Sequence, residues 1–178
     1  MINFQTKGNE QEKDNKRKEI LSIKAKNESF RFQVWWNRSK RELDIPDDDP
    51  LVNKELDVIC EKGLTDGLLA LADVLKGAKN NLGYLPEPGK CSLNGAAVPY
   101  ILGIVDVEPA KSGHETSPLA DANKISLPLQ IDVYYDNEYR NRVADWVKER
   151  YRDVTTRLGQ PALKLPNMVV VFKRVLKS

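Results

Sequence analysis

Residues 127–176 constrain the fold more than any other stretch, because their hydrophobic period changes twice. Over 127–135, Leu127, Leu129, Ile131, Val133 and Tyr135 alternate with Gln130, Asp132 and Tyr134, the period of a strand with one buried face. From about 137 to 158 the period becomes helical. Tyr139, Val143, Trp146, Val147, Tyr151, Val154 and Leu158 form one apolar stripe, with Gly159 as the C-cap and Pro161 as the stop. Residues 168–175 are β-branched and read as a buried strand. A strand, a helix and a strand in that order call for a sheet with helices laid on it.

Upstream, residues 97–108 are apolar on both faces around Val98, Ile101, Ile104 and Val105, which predicts a central strand covered on both sides. Over 29–37, Phe30, Phe32, Val34 and Trp36 alternate with Arg31, Gln33 and Trp35. This predicts a half-buried strand with Trp35 on its outer face. Asp49 and Pro50 are a good N-cap and first-turn pair for a helix running to Cys60. After Gly63, Thr65 and Asp66 start a second helical segment over 66–79, carried by Leu68, Leu71, Ala72 and Leu75. Residues 83–95 are rich in Gly and Pro and read as a loop, and 109–125 form a long polar loop. Residues 1–28 hold few apolar side chains and more Lys and Arg than Asp and Glu. They read as a basic arm that needs a partner to become ordered. The expectation is an α+β domain over 29–178 with an arm over 1–28. Its single, mainly antiparallel sheet of about four strands carries two or three packed helices.

The chemistry is sparse. A net charge of +2 leaves nucleic acid open. No apolar run is long enough to span a bilayer, and the N-terminus lacks the apolar segment of a secretory signal. Cys60 and Cys91 suggest a reducing compartment, and with a single histidine they do not make a structural zinc site. Neither a dinucleotide glycine fingerprint nor a P-loop occurs. Asp47, Asp48 and Asp49 are adjacent, so they suit a turn and N-cap better than a cation cage. Asp106, Glu108 and Lys111, with Asp132 and Asp136 as further carboxylates, offer a reading as a metal-dependent nuclease. The Glu–Lys spacing is one residue too long for alternate strand positions. His114 reads as a surface histidine. Arg140, Arg142, Lys148, Arg150, Arg152 and Arg157 are interleaved with acids three or four positions away, as on a solvated helix face.

The order from Thr65 onward carries a family echo: a helix, a strand opening Val98, Pro99, Tyr100, a strand ending Gln130, Ile131, Asp132, Val133, Tyr134, then a helix and a strand. Over residues 65–175 it resembles the tail-terminator or tail-completion proteins of tailed bacteriophages. The resemblance implies a non-enzymatic structural protein without cofactors, in a homo-oligomeric ring, often of six subunits. That ring would contact other tail or neck proteins, in the virion or the host cytoplasm. Trp35, Lys16, Arg17, Lys18, Arg140, Arg150 and His114 are then the candidate contact residues. The alternatives are the nuclease, or another nucleic-acid-processing protein, and an adaptor that binds its partner through the basic arm.

Overall fold

A computed structural model describes residues 4–83, 86 and 91–175, with side chains from Asn9 onward. Helix α1 runs Phe4–Lys40, α2 Pro50–Glu61, α3 Thr65–Leu82 and the short α4 Ala97–Ile101. Single 3-10 turns follow at Pro109–Lys111 and Ala122–Lys124. Then come β1 Leu129–Tyr135, α5 Asn137–Arg150, β2 Val154–Arg157, β3 Gln160–Leu165 and β4 Met168–Arg174. The sheet order is β1-β4-β3-β2. The β1–β4 pair is parallel and the other two pairs are antiparallel. The expected α+β class with a mainly antiparallel four-stranded sheet therefore holds, although two of its strands lie elsewhere than the sequence suggests.

The first correction concerns residues 29–37, which belong to α1. Alternate apolar residues also place Phe30 and Val34 four apart, on one helical face, and those two are buried. Burying each contributes about 1.5–3 kcal/mol. Phe32 and Trp36, also four apart, face solvent at 69% and 57% exposure and stack with centroids 6.3 Å apart. Trp35 is half-buried and packs against the core rather than outside a strand. The arm is likewise helical from Phe4, although residues 9–26 are all solvent-exposed. Glu, Lys, Gln and Arg are good helix formers, and neither Gly nor Pro interrupts residues 9–40.

The second correction is α4, in place of the central strand over 97–108. A short apolar run reads equally as strand or buried helix, and Pro99 cannot donate in a central ladder. The helix is held at both ends. The Glu55 carboxylate, from α2, accepts Ala97 N–H and Val98 N–H at 2.8 Å each. The Arg41 guanidinium, from just after α1, donates to Tyr100 O at 2.8 Å and Ile101 O at 2.9 Å. Acid at the N-terminus and base at the C-terminus satisfy the orphan backbone groups and complement the helix dipole.

The third correction is the end of α5. It stops at Arg150, and residues 154–157 form β2. Leu158 and Gly159, with φ of 51° and 77°, make the two-residue turn between β2 and β3. Gly159 is thus a hairpin residue and not a helix cap. Within the loop read over 83–95, residues 84, 85 and 87–90 lie outside the described residues, as do 1–3 of the arm.

One face of the sheet carries Ile131, Val133, Tyr135, Leu163, Val170 and Phe172. These share a single core with Leu68, Leu71 and Val74 of α3 and Val143 and Val147 of α5. Gly67 lets α3 approach the β3–β4 turn: a Cβ there would lie 2.5 Å from Pro166 O and 2.4 Å from Met168 Cε. Gly67→Ala should therefore destabilise the fold by about 1–3 kcal/mol through overpacking against backbone, despite the helix propensity it gains. Urea unfolding followed by circular dichroism measures this; an unchanged midpoint would contradict the close approach.

Candidate functional site

The alternation that buries Ile131, Val133 and Tyr135 turns Gln130, Asp132 and Tyr134 to the opposite face of β1. On that face β4 contributes Val169, Val171 and Lys173, and β3 contributes Ala162 and Lys164, by register. Ala162, Val169 and Val171 form a separate apolar cluster to which no described helix contributes. Beside it stands an ion pair: Lys173 Nζ donates to Asp132 Oδ2 at 3.0 Å. The other carboxylate oxygen, Oδ1, accepts from Gln130 Nε2 at 3.0 Å. The ammonium also lies 5.9 Å from the centroid of the Tyr134 ring. The hydrogen bond that Lys173 donates to Asp132 raises the pKa of the lysine, favouring its charged form.

The edge of β1 is closed by the turn that leads into α4. Cys91 bridges to Val133, Ser92 N–H donates to Asp132 O at 3.0 Å, and Asp132 N–H donates to Ser92 Oγ at 2.9 Å. Burial pushes the Cys91 thiol up to about 11, which disfavours the thiolate a nucleophile needs. Ser92 and Gln130, both bonded to Asp132, also line a cavity of about 500 Å³. Its other walls include Lys54 of α2, Ser117, Asp121 and Lys124. The cavity thus combines two lysines, the Ser92 hydroxyl and an amide with one carboxylate, Asp121, while the Ser117 hydroxyl proton goes to Glu55; the balance of charge and donors suits an anionic ligand.

Glu55 ties this neighbourhood together. It is fully buried, and besides the two α4 amides it accepts from Ser117 Oγ at 3.0 Å. Burial raises its pKa, and the three hydrogen bonds work against that shift. A carboxyl with a raised folded-state pKa binds its proton more tightly folded than unfolded. Stability should therefore fall as pH rises from the unfolded value of about 4.3 through the folded value, and level off above it. Glu55→Gln should flatten that slope and destabilise the fold by about 1–3 kcal/mol, since an amide cannot accept from both α4 N–H groups with equal geometry. Thermal melts over pH 4–8 read both effects, and a melting temperature that rises steadily over the same range would contradict them.

The residues singled out in the sequence are dispersed. Lys16, Arg17 and Lys18 are exposed on α1. Arg150 lies over the Trp146 ring at 5.4 Å. Arg140 is only 5% exposed, not on a solvated face. It donates to Gln160 Oε1 at 2.7 Å and Phe172 O at 3.2 Å, and burial followed by Arg174 lowers its pKa. His114 is exposed and lines a neighbouring cavity, of about 570 Å³, together with Glu108, and Lys54 and Ser117 line both cavities. Glu108 pairs with Lys111 at 3.4 Å across a 3-10 turn, while Asp106 lines a third cavity with Arg41 and Lys76. The nuclease constellation is thus not assembled. Asp49 caps α2 as expected, its Oδ1 accepting Val52 N–H at 3.0 Å. Sequence reading missed Ser92, Lys54, Lys124 and Lys173 as site residues. The alternation of β1 pointed to Asp132, but nothing local marked the four that converge on it or on the cavity beside it.

Residues 32–159 match the family model described as the Bacterial DNA polymerase III alpha NTPase domain. That is more than half of the chain, and the chain belongs to this family. Among curated proteins it is 36% identical over 100 residues to a DNA polymerase III subunit alpha of Pseudomonas aeruginosa. It is 34% identical over 98 residues to that of Aquifex aeolicus, and 32% over 109 residues to that of Rickettsia conorii. These matches cover 56%, 54% and 61% of this chain but only 8%, 8% and 9% of the relatives. The phage tail-terminator resemblance is thereby corrected, and with it the ring, the tail and neck partners and the virion. Its basis, a Pro-Tyr strand before a Gln-Ile-Asp-Val-Tyr strand, fails physically because Pro99 and Tyr100 lie in a helix. The expectation of a non-enzymatic protein is corrected too: the family is described as an NTPase domain, and these relatives are polymerase subunits. Among the described residues no helix is long and apolar enough to cross a membrane.

Proposed function

We propose that this member of the Bacterial DNA polymerase III alpha NTPase domain family binds nucleoside triphosphates, in the cytoplasm and in the service of DNA replication, with DNA and other polymerase subunits as its partners. The observation that carries the reading is the cavity of about 500 Å³ walled by Lys54, Lys124, Ser92, Ser117 and Gln130, with Asp121 as its one carboxylate among the described residues. It falls within the roughly 300–1,000 Å³ of small-molecule sites. A triphosphate brings several negative charges and many acceptor oxygens. The two lysines and the Ser92 hydroxyl supply the matching charge and donors. The family's description as an NTPase domain and the relatives' names as polymerase subunits support a nucleotide over other anions.

Nucleotidyl transfer and triphosphate hydrolysis commonly employ divalent cations, in polymerases a pair about 3.5–4 Å apart between convergent carboxylates. The described residues do not fit such a pair. No group of three or more His, Cys, Asp or Glu side chains converges among them. Around the sheet face, β1 offers one carboxylate where alternation provides three positions, the other two being Gln130 and Tyr134. The proposal is therefore one of binding.

Isothermal titration with dATP and ATP tests it. Wild type should bind with a dissociation constant in about the micromolar to millimolar range, and Lys54→Ala/Lys124→Ala should weaken binding about tenfold or more. No binding at millimolar nucleotide, or binding indifferent to both lysines, would refute the site.

A further inference from the structure

We propose that Lys173 holds the place of a divalent cation at Asp132, so that this sheet face carries a built-in counter-ion and the adjoining cavity takes its nucleotide without metal. The nucleotide half of this statement rests on the reading above; the assignment of Lys173 does not. Both oxygens of Asp132 are engaged, Oδ2 by the ammonium and Oδ1 by the Gln130 amide. A cation approaching either oxygen must displace a donor and sit beside a positive charge. Oxygen ligands for a hard cation come as several convergent groups, and here the neighbours on the face are Val169, Val171, Tyr134 and Gln130, whose amide nitrogen is turned to Asp132. The ammonium is also restrained. Lys173 is the cross-strand partner of Tyr134 and lies over its ring, and its side chain is 32% exposed against 21% for Asp132. Lys173 is fixed by the same β1–β4 register that places Asp132, so the pair forms whenever the sheet does.

The charges make a pattern of signs that a metal site would not give. Removing the acid leaves a free ammonium near the cavity, removing the base leaves a bare carboxylate, and removing both restores neutrality. Asp132→Asn should therefore tighten dATP binding about threefold to tenfold, Lys173→Met should weaken it by a similar factor, and the double variant should return close to wild type. Wild-type affinity should agree within about twofold between EDTA and excess Mg²⁺. In a separate measurement, the free Mn²⁺ signal in electron paramagnetic resonance should stay undiminished by wild-type protein up to about 1 mM cation.

The opposite pattern overturns the proposal: Mn²⁺ taken up by wild type and released by Asp132→Asn, or dATP binding lost in EDTA and weakened by Asp132→Asn. The Mn²⁺ arm needs no variant for its expected result, so a Lys173→Met protein that fails to fold does not disarm the test. If no nucleotide binds while Mn²⁺ stays free, the nucleotide reading falls and the assignment of Lys173 stands.

Discussion

The parallel pairing of β1 with β4 is the constraint on which the rest of the structure depends. It runs in register from Leu129 against Met168 to Tyr135 against Arg174. Parallel strands cannot be joined by a tight turn, so the chain between them must cross over. Helix α5 and the β2–β3 hairpin fill that crossover, and the return through β3 adds antiparallel pairs to β4. The same register sets both faces. Inward it aligns Tyr135 and Phe172, whose rings stack at 6.5 Å in the shared core with α3 and α5. Outward it brings Asp132 and Lys173, 41 residues apart, to 3.0 Å.

A second, smaller constraint organises the helical half. A five-residue helix is too short to be stable alone. Here α4 persists because Glu55 and Arg41 satisfy its two ends, and because Ala97, Val98 and Ile101 are buried. Glu55 also accepts from Ser117, which anchors the long loop after α4. That loop and α2 then become two walls of the cavity beside β1, so a buried carboxylate outside the cavity lining positions Ser117 and, through α4, the turn carrying Ser92.

What the sequence made legible follows from what local pattern can encode. The strand over 129–135, the start of α5, the Asp49 cap of α2 and β4 were readable because each has one dominant period or cap. Residues 29–37 and 97–108 were misread because short apolar runs suit both periods. Only the surroundings, Gly-free flanks in one case and the Glu55 cap in the other, decide between them. The hairpin at Leu158 and Gly159 was mistaken for a helix end because a glycine serves both purposes. Of the candidate site, only Asp132 and its alternation were visible. Ser92, Lys54, Lys124 and Lys173 reach it or its cavity from four separate segments, and convergence of that kind is a property of the tertiary fold. Membership of the polymerase III alpha family, carried over residues 32–159, likewise surfaced from comparison and not from any catalytic motif.

The central claim is that the turn at Ser92, the start of β1 and the two flanking lysines form one nucleotide site. Backbone amide shifts in a ¹⁵N-labelled chain titrated with dATP test it most directly. The account predicts saturable shifts concentrated at Ser92, Leu93, Lys124 and Gln130, with α1 unaffected. Shifts confined to the cavity around His114 and Glu108, or spread without saturation over the exposed lysines of α1, would contradict it.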